Sequence, residues 1–180
     1  MSISLSEVAV PTFTAGLNTL LAIIDKASSH AQDKGLDPHD LLDARLCPDM
    51  FSFTRQIQAA SDTARRGIDR VVGVEPASVA DNESSFDELR TRVKNSLAHV
   101  GQVDRAAVDA SEDRKFSVPL GKEAKLDCTG RSYLLGFALP NFLFHVTTAY
   151  DILRHHGVEL GKRDFLTSFV EANSGSSSSN

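Results

Sequence analysis

Four segments of this chain carry apolar residues at alternating steps of three and four, and that periodicity limits the possible folds more than any other feature. The first segment holds Val10, Phe13, Leu17, Leu20, Ile24, Ala27 and Ala31, and the second Met50, Phe53, Ile57, Ala60, Ala64, Ile68 and Val71. The third holds Phe86, Leu89, Val93, Leu97 and Val100, and the fourth Leu135, Ala138, Phe142, His145, Ala149, Ile152 and His156. At about 100° per residue each set falls on one side of a helix, which must bury that stripe against a partner. Arg55, Gln58, Asp62, Arg65, Arg66 and Asp69 occupy the rest of the second helix and read as its solvated face.

The breaks between stripes have their own chemistry. Ser85 followed by Glu88 is the spacing of a capping box at the start of the third helix. Gly35 and Gly73 stand where a helix would end in a left-handed residue. Pro48 suits a first helical turn. Pro11 leaves two starts open for the first helix: at the proline itself, or at Ser4 with Glu7 completing a capping box and a bend at Pro11. Between the third and fourth helices, Phe116, Val118 and Leu120 alternate, as do Leu126 and Cys128 across a Gly121-Lys122 turn, so a short β-hairpin is expected there.

Four amphipathic helices, mostly short connections and one long connection holding a hairpin predict an all-α, antiparallel up-down-up-down four-helix bundle over residues 1–167. Residues 168–180, rich in serine, have nothing to bury and are expected to form a disordered tail. In that topology the second and fourth helices run in the same direction.

Composition narrows the function classes. A net charge of -5, with 41% hydrophobic and 24% charged residues, describes a soluble globular domain without the basic excess that nucleic acid demands. LLGFALPNFLF, broken by Pro140 and Asn141, is too short to span a bilayer, so no membrane partner is expected. Cys47 and Cys128 form no CxxC pair, and no Lys or Arg precedes Lys26, so reduced thiols and a cytoplasmic location are expected.

The co-directional second and fourth helices create one polar cluster. Asp49 would begin the second helix beside Met50, while Asn141 and His145, four residues apart, share a face early in the fourth. Thr148, three residues after His145, can reach the same pocket. Pro140 removes a backbone N–H just before Asn141, freeing a carbonyl or bending the helix. Asp49, Asn141, His145 and Thr148 are therefore the candidate ligand-binding residues.

The stretches RLCPDMFSF (45–53), ALPNFLFHVTTAYDILRHHGV (138–158) and GKRDFL (161–166) resemble a domain-of-unknown-function family within the DinB/YfiT-like superfamily. That resemblance implies a four-helix bundle, commonly a homodimer. It also implies a divalent metal held by one histidine of the second helix and two from an H-x-x-x-H on the fourth, with thiol-dependent transferase or isomerase chemistry in some members. This chain departs from the pattern: its second helix offers Asp49 and no histidine, and N-x-x-x-H stands at 141–145. Two readings stay open. Asp49, Asn141 and His145 form a harder site for Mn, Fe or Mg in an enzyme acting on a small thiol-linked molecule. Alternatively the bundle is non-catalytic, acting in binding or self-association, and Asp49 caps the second helix and accepts a bond from His145. His155 and His156 lie about 15 Å further along the helix and cannot join His145 on one ion; Asp151 and His155 have the spacing of a surface pair.

Overall fold

The computed structural model describes residues 3–120 and 124–168. Four long helices, α1 (Leu5–Lys34), α3 (Phe53–Val72), α4 (Phe86–Gly101) and α7 (Leu139–His155), enclose one hydrophobic core. Short helices α2 (Pro38–Leu42) and α5 (Arg105–Ala110) occupy connections, α6 (Gly130–Tyr133) leads into α7, and α8 (Lys162–Phe165) follows it. Strands β1 (Lys115–Leu120) and β2 (Ala124–Thr129) pair antiparallel with Lys115 opposite Thr129. The expected Gly121-Lys122 turn and the expected tail beyond Ser168 lie outside the described residues, whereas Ser168 itself is helical and accepts from Asn18 Nδ2 at 3.2 Å.

The capping chemistry decides the helix ends. The Ser4 side chain accepts from the Glu7 N–H and the Glu7 carboxylate accepts from the Ser4 N–H, so α1 starts before Pro11 and carries that proline in its interior. Gly35 and Gly73 end α1 and α3 at φ 63° and 81°, where a Cβ would be strained. Ser85 caps α4, but the Glu88 carboxylate accepts from Ser84 rather than Ser85, one residue away from a closed capping box. α1 has the length and hydropathy of a membrane span; its Phe13, Leu17, Leu20, Ile23 and Ile24 are fully buried in the bundle core.

The second helix starts later than its stripe suggests. Pro48 and Asp49 occupy the centre of a turn closed by Met50 N–H donating to Cys47 O at 3.0 Å, a use that suits proline followed by aspartate. Ser52 is the N-cap, its hydroxyl accepting from the Arg55 N–H. Asp49 therefore neither begins nor caps this helix.

The helix directions also differ from the up-down-up-down expectation. Cross-helix pairs between α3 and the chain leading through α7 run in opposite order, Gln56 with His145, Thr63 with Asn141 and Arg70 with Tyr133, so α3 and α7 are antiparallel. Asp62 meets Arg92 and Asp69 meets His99, so α3 and α4 are parallel. Asp25 meets Arg90 while Ser6 meets Asp109 beyond α4, so α1 and α4 are antiparallel. The bundle is thus up-down-down-up. The reason is the α3–α4 connection: residues 73–85, extended at about 3.3 Å per residue, reach roughly 40 Å, more than the roughly 30 Å length of the 20-residue α3. The chain returns along α3 before α4 begins.

The last long helix is continuous from Gly130, with a π-helical turn at Leu134–Ala138 in which the Leu139 N–H donates to Leu134 O. Pro140, next in line, has no N–H to continue the α-pattern. The wider turn absorbs that missing donor, as such bulges often do beside functional residues. Downstream, α8 docks the chain end on α1: Lys26 pairs with Asp164 at 2.8 Å and the Thr19 hydroxyl donates to Phe165 O at 2.7 Å.

Candidate functional site

α3 presents Arg55, Ala59, Asp62, Thr63, Arg66 and Arg70 along one side, all but Ala59 polar. Facing it, the π-helical turn and α7 present Phe137, Asn141 and His145, with Tyr133 at the far end. Together they line a cleft of about 230 Å³.

His145 is 9% exposed and forms one wall. Its Nδ1 lies 2.7 Å from Gln56 Oε1. The Gln56 amide nitrogen donates to Phe51 O at 3.4 Å, which orients the carboxamide so that its oxygen faces the imidazole. Phe51 stacks on the His145 ring at 6.3 Å between centroids, and Phe144 meets it edge-on at 5.4 Å. Burial, and next to it the positive charge of Arg55, push the His145 pKa below its ordinary value. The imidazole is accordingly neutral at pH 7.

Asn141 Nδ2 donates to Thr63 Oγ1 at 2.9 Å, and the Thr63 hydroxyl donates in turn to Ala59 O at 2.7 Å. At the far end Arg70 Nη1 donates to the Tyr133 hydroxyl at 3.2 Å. Among the described residues no carboxylate pairs with Arg70, whereas Arg55 is paired with Asp81 and Arg66 with Asp62 at 2.9 Å. The lining thus holds three arginines against one aspartate, a local positive field in a chain of net charge -5.

Of the four residues expected from sequence, Asn141 and His145 share this cleft. Asp49 is exposed in its turn, and no hydrogen bond or ion pair joins it to His145. The Thr148 hydroxyl donates to Phe144 O at 2.7 Å, within its own helix. The Asp151–His155 surface pair does not form either; His156 Nδ1 instead donates to Ile152 O at 2.9 Å. The residues missing from the sequence reading are Gln56, Thr63, Arg66, Arg70 and Tyr133. Of these only Arg66 belonged to the polar stripe of α3 read there as a solvated face; Gln56, Thr63 and Arg70 lie on the same helix outside that stripe, and Tyr133 lies on α6. Much of that face is covered instead: Gln58, Arg65 and Asp69 are buried, and Asp62 is shared by Arg65, Arg66 and Arg92 at 2.8–2.9 Å.

The divalent metal implied by the resemblance does not fit this donor set. Among the described residues no three His, Cys, Asp or Glu side chains converge. Around His145 the protein offers carboxamides and a hydroxyl, and the one lining carboxylate is already held by three guanidinium groups. Three neighbouring cations oppose a fourth.

Comparison with known proteins agrees with the fold. The model of a family described as a domain of unknown function (DUF1993) matches residues 5–166. The crystal structure of a DinB family member protein from Shewanella denitrificans aligns with a TM-score of 0.82 and 38% sequence identity, covering 90% of this chain and 91% of that chain. No curated protein matches. The chain belongs to the DUF1993 family, a domain family of unknown function within the DinB-like superfamily.

Proposed function

We propose that the cleft between α3 and α7 is a metal-free site for a small organic anion, and that its chemistry, where turnover occurs, is proton transfer or hydrogen bonding at the neutral His145. The single observation carrying this reading is the composition of the cleft: a neutral, buried imidazole at one end and, at the other, an arginine whose side-chain donors, among the described residues, meet only a tyrosine hydroxyl. A guanidinium without a carboxylate partner is a ready anion receptor. The transferase or isomerase chemistry on a thiol-linked molecule that the resemblance implies fits this arrangement if the anionic group sits at Arg70 and the reacting group near His145.

A second reading is a non-catalytic bundle acting in binding or self-association. It is favoured by the protein hydrogen bonds that Asn141 makes to Thr63 and His145 to Gln56, and by Phe137 and Phe144, which are exposed beside the cleft. A homodimer formed through that face would belong to this reading.

Chemical-shift mapping with benzoate and with inorganic phosphate separates the two. On the first reading the anion shifts resonances of Arg70, Asn141 and His145, and Arg70→Gln weakens binding by about tenfold or more, the loss of one charged hydrogen bond. Shifts scattered over the surface, or equal affinity in Arg70→Gln, would reject the anion site.

A further inference from the structure

We infer that Gln56 is a positioning residue that holds His145 as the Nδ1–H tautomer, leaving Nε2 as the ring's acceptor for an O–H, N–H or S–H group of the ligand. The second half of this inference rests on the cleft being the ligand site; the first half does not. The geometry runs in one direction. Phe51 O can only accept, so the Gln56 amide nitrogen is its donor and the Gln56 oxygen is left to face His145. An oxygen 2.7 Å from Nδ1 requires the proton to be on Nδ1. Phe51, parallel to the ring, and Phe144, edge-on to it, flank the imidazole in this orientation. A neutral imidazole has one protonated nitrogen, so the lone pair is at Nε2.

The consequence is a ligand class. The site favours a molecule that carries an anionic group and, apart from it, a hydrogen-bond donor, and it disfavours one that offers only acceptors to His145. Gln56 does the work that a carboxylate commonly does for a histidine, but without adding negative charge that would raise the basicity of the ring or pair with Arg55.

Two-bond ¹H–¹⁵N spectra of the full-length protein with ¹⁵N-labelled histidine at neutral pH test this, with His145→Asn identifying the His145 signals. The expected pattern is a protonated Nδ1 and an unprotonated Nε2. Gln56→Met should lose that pattern and shift the proton toward Nε2, the form preferred by free imidazole in water, and Gln56→Glu should keep the proton on Nδ1 while raising the pH at which Nε2 also becomes protonated. A wild-type spectrum with the proton on Nε2, or a Gln56→Met spectrum identical to wild type, would overturn the inference. Should Gln56→Met fail to fold, Gln56→Glu still decides it: Nε2 protonation at the same pH as in wild type would show that residue 56 does not act on Nδ1, and a higher pH with Nδ1 protonated throughout would support the inference. Absence of anion binding in the presence of the Nδ1–H pattern would remove the ligand reading and leave the tautomer assignment standing.

Discussion

Arg92→Met is expected to lower the stability of this protein by about 3 kcal/mol, within the range for breaking a buried ion pair by removing one partner. The Arg92 side chain is 4% exposed and reaches Asp62 at 2.8 Å, Asp81 at 2.9 Å and Glu83 at 2.8 Å, as well as Ala80 O at 2.9 Å. Burial works against its charge, but the hydrogen bond to Glu83 and the charges of Glu83, Asp62 and Asp81 outweigh it and raise its pKa. Methionine keeps most of the stem and removes only the hub. Asp62 retains Arg65 and Arg66, and Asp81 retains Arg55, so the loss falls mainly on Glu83, left with Gln58. Residues 80–83 are tied to the bundle chiefly by this guanidinium. Urea denaturation at neutral pH measures the loss; a decrease under 1 kcal/mol, the range of an exposed pair, would contradict the role assigned to Arg92.

Phe142→Ala is expected to cost about 3–5 kcal/mol, the usual loss for emptying a phenylalanine site in a core. The ring is fully buried, edge-on to Phe13 at 5.1 Å and lying over Gly16. A Cβ built on Gly16 would stand 2.3 Å from that ring, so α1 approaches α7 as closely as it does only because residue 16 has no side chain. Two coupled results follow. Gly16→Ala alone destabilises through overpacking, whereas Gly16→Ala combined with Phe142→Ala costs less than the two separate losses added together, because the new methyl enters the vacated space. Thermal or urea unfolding of the three variants provides the test; strict additivity would show that the two positions do not meet. Because Phe142 follows Asn141 and precedes His145 by one turn, its packing also fixes the cleft wall of α7.

What the sequence revealed follows from which interactions are local. The apolar stripes mark the four long helices because a buried face has the period of the helix itself. Ser4 with Glu7, Gly35 and Gly73 mark ends because capping involves residues only a few positions apart. Helix direction is not local. It depends on whether residues 73–85 turn back at once or run the length of α3, and a polar, loop-like stretch is compatible with both. That one choice set α7 antiparallel to α3. His145 still meets the first turns of α3 because the last long helix begins at Gly130, which carries residue 145 well along it before the antiparallel crossing. Asp49 was lost for a different reason: Pro-Asp is as good a turn as a helix start, and Ser52 was the stronger cap. The polar residues of α3 were visible as spacing, but the pairing of Arg55 with Asp81 and of Gln58 with Glu83 depends on a connection distant in sequence.

Everything proposed for the cleft depends on α7 lying antiparallel to α3, with the His145 imidazole against the Gln56 carboxamide. A double-mutant cycle tests this most directly, using Gln56→Met and His145→Leu, with Asp49→Ala and His145→Leu as the parallel cycle. The account predicts a coupling of about 1–2 kcal/mol for Gln56 with His145 and none beyond about 0.3 kcal/mol for Asp49 with His145. A coupling carried by Asp49, with Gln56 and His145 additive, would contradict it.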